Sequence, residues 1–426
     1  MAMDGKELVE KLAKLSQVQS IKDIPQLTHA LFPGTHCPLM GAAMAVGGIK
    51  DSLIVVVGTD ECTYYTKSMT IHSEKFGGID GRCVSVVLDD HDVTFGSAEK
   101  VQEAFKEIIE EYRPQCVFLV IGDDFDAISE GLSELYGIPV LPVHTEHFKC
   151  EDHLPGLERT ITVCAEMMKS CDSDNSVNLL GQRMGDFATT ELYAMLQKAG
   201  VKIGLQLPCG CSVDDIKNAA AAKVNIVVND IALPLAQKMQ EKFGIPYVYF
   251  NKFVIPEKIY EAYKNLFGYL ELELPGELEG LYQNAREKIE KNKGELEGIT
   301  YIYGNTPYAV FEMNCFLSSL GMVPQVIQTN RYTEADEPYA KEILQYTDPY
   351  VCKAANIAPL QYVYDVLSPY LYLGHEFGNR LRQKGIAIVH SDRASGMLGF
   401  EVTGYLLQQL VKSVREAKEY RKELGL

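Results

Sequence analysis

Short strand-like apolar runs alternate with helix-periodic segments along the whole chain, and this alternation limits the possible folds more than any other feature. LIVVVGT (53–59), CVSVVLD (83–89), CVFLVIGDD (116–124) and IPVLPV (138–143) have the length and composition of buried strands. Between them, SAEKVQEAFKEIIEEY (97–112) repeats apolar residues at helical spacing behind a serine start. Such a rhythm predicts parallel sheets covered on both faces by helices.

The rhythm restarts twice. VNLLG (177–181) leads into TTELYAMLQKAG, KIGLQLP, DDIKNAAAA, NIVV and GIPYVYF, a second α/β unit. The charged segment ELPGELEGLYQNAREKIEKNKGELEG (273–298) reads as a helical connector. TYIYGN (300–305) then opens a third unit, which runs through VFEMNCFLSSLG, PQVIQT, PYVC, YLYLG and IAIVH to a last helix over about 399–421. A chain of 426 residues exceeds one ordinary core. The reading is therefore α/β, with three Rossmann-like domains at 1–175, 176–298 and 299–426, each a mostly parallel sheet flanked by helices.

Several functions are unlikely on composition. A net charge of −18 repels phosphate backbones, which argues against nucleic acid as a partner. No apolar run reaches the roughly 20 residues of a membrane span, so no membrane partner is expected. MAMDGKELVEKLAKLSQ reads as an amphipathic helix without the apolar core of a signal peptide. A cytoplasmic location is expected. Gly58, Gly122, Gly181, Gly304 and Gly374 fall at the C-terminal strand ends, the ligand side of such sheets. None belongs to G-x-G-x-x-G or a Walker A sequence, so no nucleotide is expected through those devices.

Cysteines carry the remaining chemistry. There are eleven, and in the cytoplasm most should be plain buried thiols. No C-x-x-C pair occurs, which argues against a zinc ribbon or a ferredoxin run. Cys37 stands before Pro38 at a helix start, where the helix N-terminus stabilises a thiolate. Cys62 follows the strand 53–59 in GTDECTYY, and Cys116 opens the strand 116–124. Cys116 alone reads as a core thiol. Three thiolates from separate loops of one domain would instead suit an iron–sulfur cluster, with a fourth ligand from elsewhere or a cluster shared between subunits. LPCGCSVDD places Cys209 and Cys211 in a loop before a helix, either as small turn residues or as a cavity thiol pair. Asp214 and Asp215 fit helix capping. His36 and His375 are candidate proton donors, and His390 stands at a strand end, as a site histidine or as a solvated loop residue.

Ordered blocks resemble component 1 of nitrogenase and its relatives: the molybdenum–iron protein subunits, the cofactor-assembly scaffolds and the tetrapyrrole reductases. CPLMGAAMAVGGIKDSLIVVVGTDECTYY resembles the first block, with cysteines about 25 positions apart. HDVTFGSAEKVQEAF resembles the F-G-G-x-x-x-L helix start, and CVFLVIGDDFDAI resembles the C-x-x-x-x-I-G-D-D block, with Cys116 six positions before Gly122. The resemblance implies that Cys37, Cys62 and Cys116 ligate an iron–sulfur cluster at a subunit interface, [4Fe–4S] or larger and P-cluster-like. Gly58 and Gly122 would let the backbone approach it. Electrons would come from an ATP-hydrolysing iron protein under anaerobic conditions. They would pass to a substrate or second metallocofactor in a central cavity between the three domains, which Cys209 and Cys211 would face. The partner subunit would be a second copy or a paralogue. The family's cofactor cysteine belongs where this chain reads Val228-Asn229-Asp230, and His390 stands near the place of the cofactor histidine. The expectation is a nitrogenase-like reductase acting on something other than dinitrogen. The alternative is a scaffold on which a metallocluster is assembled.

Overall fold

The computed structural model describes residues 4–27, 37–58, 61, 64, 81–121, 126–145, 152–183, 185–250, 254–304, 310–353 and 357–426. The chain groups into two compact units: Met1–Thr35 with Lys252–Glu261 and Leu274–Leu426, and His36–Asn251 with Ala262–Glu273.

The N-terminal segment forms a short helix, α1 (Gly5–Glu10), and a short strand, β1 (Ala13–Lys14). The amphipathic helix expected through residue 17 therefore ends early. Ala13 and Lys14 pair antiparallel with Val351 and Tyr350, satisfying an edge that would otherwise stay open. Ser16 donates from N and Oγ to the Asp348 carboxylate at 3.0 and 2.8 Å. Leu15 and Val18 enter the core of the C-terminal part of the chain. The sequence reading had grouped these residues with the first α/β domain; the pairing groups them with the C-terminal sheet.

The unit beginning at His36 opens with α2 (Pro38–Gly47) and β2 (Ile49–Lys50). Its first sheet contains β3 (Ser52–Gly58), β4 (Cys83–Val87), β5 (Cys116–Ile121) and β6 (Val140–His144), all parallel, in the order β4-β3-β5-β6. β3 is buried from Ser52 to Val57, as its unbroken Leu-Ile-Val run requires between two helical layers. α3 (Ala98–Tyr112) lays Val101, Phe105 and Ile108 onto this sheet from a helical stripe. α4 (Leu154–Val163) follows β6. The second sheet holds β7 (Val177–Gln182), β8 (Ile203–Pro208), β10 (Val224–Val227) and β11 (Tyr247–Tyr249), also parallel, in the order β11-β10-β7-β8. A two-residue strand between them, β9 (Cys211–Ser212), pairs with β2.

The other unit is built on β12 (Thr300–Tyr303), β13 (Val323–Gln328), β14 (Tyr350–Cys352), β15 (Leu371–Leu373) and β16 (Ala387–Val389). With β1 they form a six-stranded sheet, β1-β14-β13-β12-β15-β16, parallel except for β1. α5 (Val310–Ser319) and the long final helix α7 (Glu401–Leu424) bury their apolar stripes in one core with Tyr301, Ile327 and Leu373. α1 and α6 (Ile357–Leu367) contribute to a second core with Ile302, Val326 and Tyr372. The three α/β repeats expected from the sequence thus appear as three parallel sheets, two of them in one compact unit. No helix among the described residues is long and apolar enough to cross a membrane.

Candidate metal centre

Cys37 is the N-cap of α2, in extended backbone, with Pro38 at the first helical position. Its side chain makes no capping hydrogen bond. The sulfur is therefore not engaged in holding the helix, and it is half-buried at the positive end of the helix dipole. The helix itself is buried along its whole length. It fits only because of two glycines: a methyl on Gly41 would overlap the His153 carbonyl, and one on Gly156 of α4 would overlap the Pro38 carbonyl. These reciprocal contacts set where Cys37 stands.

The far end of α2 is held by Arg82. Its guanidinium donates to the carbonyls of Ile49 at 2.6 Å, Gly47 at 3.0 Å and Ser52 at 3.5 Å. Burial lowers the Arg82 pKa, partly offset by Asp51, and the group remains a cation. The Gly47 carbonyl is one of those that a helix C-terminus leaves unpaired. Arg82→Met should cost about 1–3 kcal/mol by removing the donor to the Gly47 carbonyl, while Ile49 keeps its bond from Ser52 Oγ at 2.7 Å. Urea unfolding followed by circular dichroism checks this, and an unchanged midpoint would rule out the clamp.

Of the cysteines expected to share a cluster, Cys37 and Cys116 are among the described residues, and these two are not brought together. Cys116 is the first residue of β5 and pairs with Ser52, the first residue of β3. Gly58 ends β3, about 20 Å away at strand rise. α2 is about 15 Å long and its C-terminal end lies at Arg82 and Ser52, so Cys37 stands away from the Cys116 end. Cys116 has no exposed surface. Burial pushes its thiol well above the ordinary range, with Lys217 opposing weakly. Its electrostatic neighbour is Cys164, which also senses Cys211 and donates its thiol to the Thr160 carbonyl at 3.3 Å. Cys116 is thus a buried thiol at the start of β5, apart from Cys37. Its six-residue distance from Gly122 matches the family block, but those residues cross the sheet as β5.

His36, Cys62 and Gly122 lie outside the described residues. At Gly58, the last residue of β3, an added Cβ would meet nothing within 4 Å among the described residues. Cys209 is exposed just past β8, whereas Cys211 is 2% exposed in β9 and pairs with Ile49. Burial first, then Asp215, push the Cys211 thiol up to about 12. Burial and then Asp186 raise Cys209. Asp215 closes a capping box with Ser212, as expected of that position. Asn229, in the Val228-Asn229-Asp230 stretch, caps a short helix by accepting from the Ile231 N–H at 3.2 Å. His375 and His390 follow β15 and β16, adjacent strands of the six-stranded sheet. His375 Nε2 lies 3.0 Å from Asp392 Oδ1, and the His390 carbonyl accepts from the Tyr405 hydroxyl at 3.3 Å; both histidines face solvent.

Among the described residues, one group of three has potential ligand atoms within 4.8 Å of one another: Asp89, His91 and Asp92. The carboxylates are already engaged. Asp89 accepts from the N–H groups of His91 and Asp92, both at 2.9 Å, while Asp92 accepts from the Asp89 N–H at 2.9 Å and from Lys100 Nζ at 2.5 Å. This is a helix cap with its counter-ion.

The family model for nitrogenase component 1 type oxidoreductases matches residues 37–415, beginning at Cys37. The chain belongs to this family. Among its relatives, the nitrogenase iron-molybdenum cofactor biosynthesis protein NifE of Clostridium pasteurianum is 31% identical over 224 residues, 50% of this chain and 49% of the relative. NifE of Rippkaea orientalis is 24% identical over 331 residues, 72% of this chain and 69% of the relative. The nitrogenase molybdenum-iron protein alpha chain of Methanosarcina barkeri is 24% identical over 330 residues, 72% and 62% of the two chains. The chain therefore spans about half the length of the Clostridium relative in that match. Among solved structures, nitrogenase Cp1 at pH 6.5 superposes with a TM-score of 0.78 at 14% identity, over 92% of this chain and 94% of that one. Nitrogenase Cp1 at pH 5 gives 0.66 at 19% identity, over 97% of each chain. The α/β fold read from the sequence is the fold of this family.

Proposed function

We propose that this chain is a component-1-type subunit that holds an iron–sulfur cluster on Cys37 and Cys62. The observation that carries the reading is Cys37: a thiol at the N-terminus of a glycine-clamped helix, with no capping bond of its own. A cubane takes four thiolates. With Cys116 in the core, each chain contributes two, so two chains, either copies or paralogues, complete the set. When bound, the cluster supplies one-electron relay between an ATP-hydrolysing iron protein and a reducible substrate or metal cofactor. The protein's own part is to fix Cys37 through α2 and to seal the sheet beneath it. Asn229 at the cofactor-cysteine position favours a substrate other than dinitrogen. We place this activity in the cytoplasm of an anaerobic cell.

The NifE relatives support a second reading, a scaffold that assembles a metallocluster and passes it on. The two separate on turnover. With iron protein, ATP and reductant, a reductase converts a small molecule catalytically, whereas a scaffold transfers one metallocluster to an apo-acceptor.

The ligand set is tested by anaerobic reconstitution of the wild-type chain and of Cys37→Ser, Cys62→Ser and Cys116→Ser. Iron, sulfide and visible absorbance should collapse in the first two and persist in the third. Wild-type iron content in Cys37→Ser, or its loss only in Cys116→Ser, would overturn the assignment.

A further inference from the structure

Gln328 closes β13 with 1% of its surface exposed, and neither Oε1 nor Nε2 has a hydrogen-bond partner among the described residues. Buried amides are ordinarily satisfied. Asn314, equally enclosed in the same unit, accepts from the Tyr301 hydroxyl at 2.9 Å and donates to the Val310 carbonyl at 2.7 Å. Gln328 leaves both of its side-chain groups unpaired, and it sits at the C-terminal edge of a parallel sheet, where α/β folds bind ligands.

Other open polar groups lie beside it. Gln328 pairs with Cys352 and shares a sheet face with Val326, which packs in one core with Tyr364 of α6 and Tyr372 of β15. Gly304, just past β12, is level with Gln328 on the neighbouring strand, about 4.8 Å away. A methyl on Gly304 would overlap the Tyr372 hydroxyl. The Tyr372 hydroxyl therefore lies one strand from the Gln328 amide. The Tyr364 and Tyr372 rings meet edge-on at 5.8 Å, close enough for the hydroxyls to influence one another, yet neither forms a hydrogen bond of normal geometry. Burial, followed by the Glu376 carboxylate, pushes the Tyr372 phenol up, so it is a donor at neutral pH. The Glu376 side chain is wholly enclosed, with Arg380 at 3.9 Å. It accepts from Gln361 Nε2 at 3.0 Å and from the Phe377 N–H at 2.8 Å, while Gln361 Oε1 has no partner.

We infer that Gln328, Tyr372, Tyr364 and Gln361 form a polar subsite at the C-terminal edge of the six-stranded sheet that binds the carboxamide group of a small molecule. A primary amide matches the Gln328 amide donor to acceptor and acceptor to donor. The phenols add donors and Gln361 Oε1 adds an acceptor. Glu376 disfavours a carboxylate in the same place by like-charge repulsion. This subsite rests on the C-terminal unit alone and stands whether or not the chain carries a cluster.

The test uses the full chain, thermal unfolding and saturation-transfer NMR, with propionamide as the probe and propionate as its charged counterpart. Gln328→Met keeps the volume and removes two unpaired polar groups, so its Tm should rise by several degrees and its propionamide signal should vanish. Tyr372→Phe should keep the wild-type Tm and weaken the propionamide signal several-fold. The subsite is overturned if the wild-type chain binds no propionamide, or if propionate binds as well. It is also overturned if Gln328→Met binds as wild type does, or if its Tm falls, since a fall would mean that enclosed water already satisfies the amide.

Discussion

Gly156→Ala is expected to destabilise the chain by about 3 kcal/mol or more. The added methyl would overlap the Pro38 carbonyl oxygen and come within 2.6 Å of its carbon. Both partners are helix backbone, so no side chain can rotate aside and α2 must move away from α4. Gly41→Ala meets the same obstacle from the other side, at the His153 carbonyl and, at 2.9 Å, the Leu157 nitrogen. Gly131 provides the control, since an alanine there meets nothing within 4 Å and its helix Asp126–Tyr136 should gain about 0.5–1 kcal/mol. Urea titrations of the three variants decide the matter. Equal midpoints for Gly156→Ala and Gly131→Ala would show that α2 and α4 do not pack as described. A displaced α2 also displaces Cys37, so the same variant should lose reconstituted iron while all its cysteines remain.

Asn178→Leu is the second large effect, with an expected loss of about 3–5 kcal/mol. Asn178, the second residue of β7, has no exposed surface. Its Nδ2 donates to the Ala219 carbonyl and to Asn225 Oδ1, both at 2.8 Å, and its Oδ1 accepts from the Leu205 N–H at 3.1 Å. The last bond falls where the pairing of β7 with β8 shifts register, so a side chain stands in for the missing ladder partner. Leucine would strand the Leu205 N–H and the Asn225 amide oxygen in the core, and leave the Ala219 carbonyl only the 3.4 Å bond from the Ala222 N–H. Calorimetry should show a Tm lower by ten degrees or more; a shift within two degrees would mean that the network contributes little.

The parts of this fold legible in the sequence were those written in local periodicity. The Val and Ile runs of β3 and β5 and the stripe of Ala98–Tyr112 declare themselves because burial on both faces, or on one helical face, needs no knowledge of a partner. Asn178 and Gln328 read as polar interruptions in apolar runs. Whether each is satisfied depends on residues tens of positions away. Cys116 shows a different limit. Its spacing from Gly122 fits the family block equally well if the intervening residues form a loop or a strand. The sequence already puts Cys116 at the start of its strand; the register with Ser52 adds that this end lies by the C-terminal end of α2 and not by Cys37. Arg82 is a lone cation in sequence and becomes a helix clamp only when Gly47, Ile49 and Ser52 present their carbonyls together.

The pairing of β1 with β14 has a consequence for synthesis. Lys14 donates to the Asp348 carbonyl across 334 positions. At about 5–20 residues per second, the ribosome needs roughly 20–70 s to deliver that partner. Throughout this interval Leu15 and Val18 have no core to enter. Trigger-factor-like holdases should therefore contact the nascent N-terminus early and release it only after the last sheet has emerged.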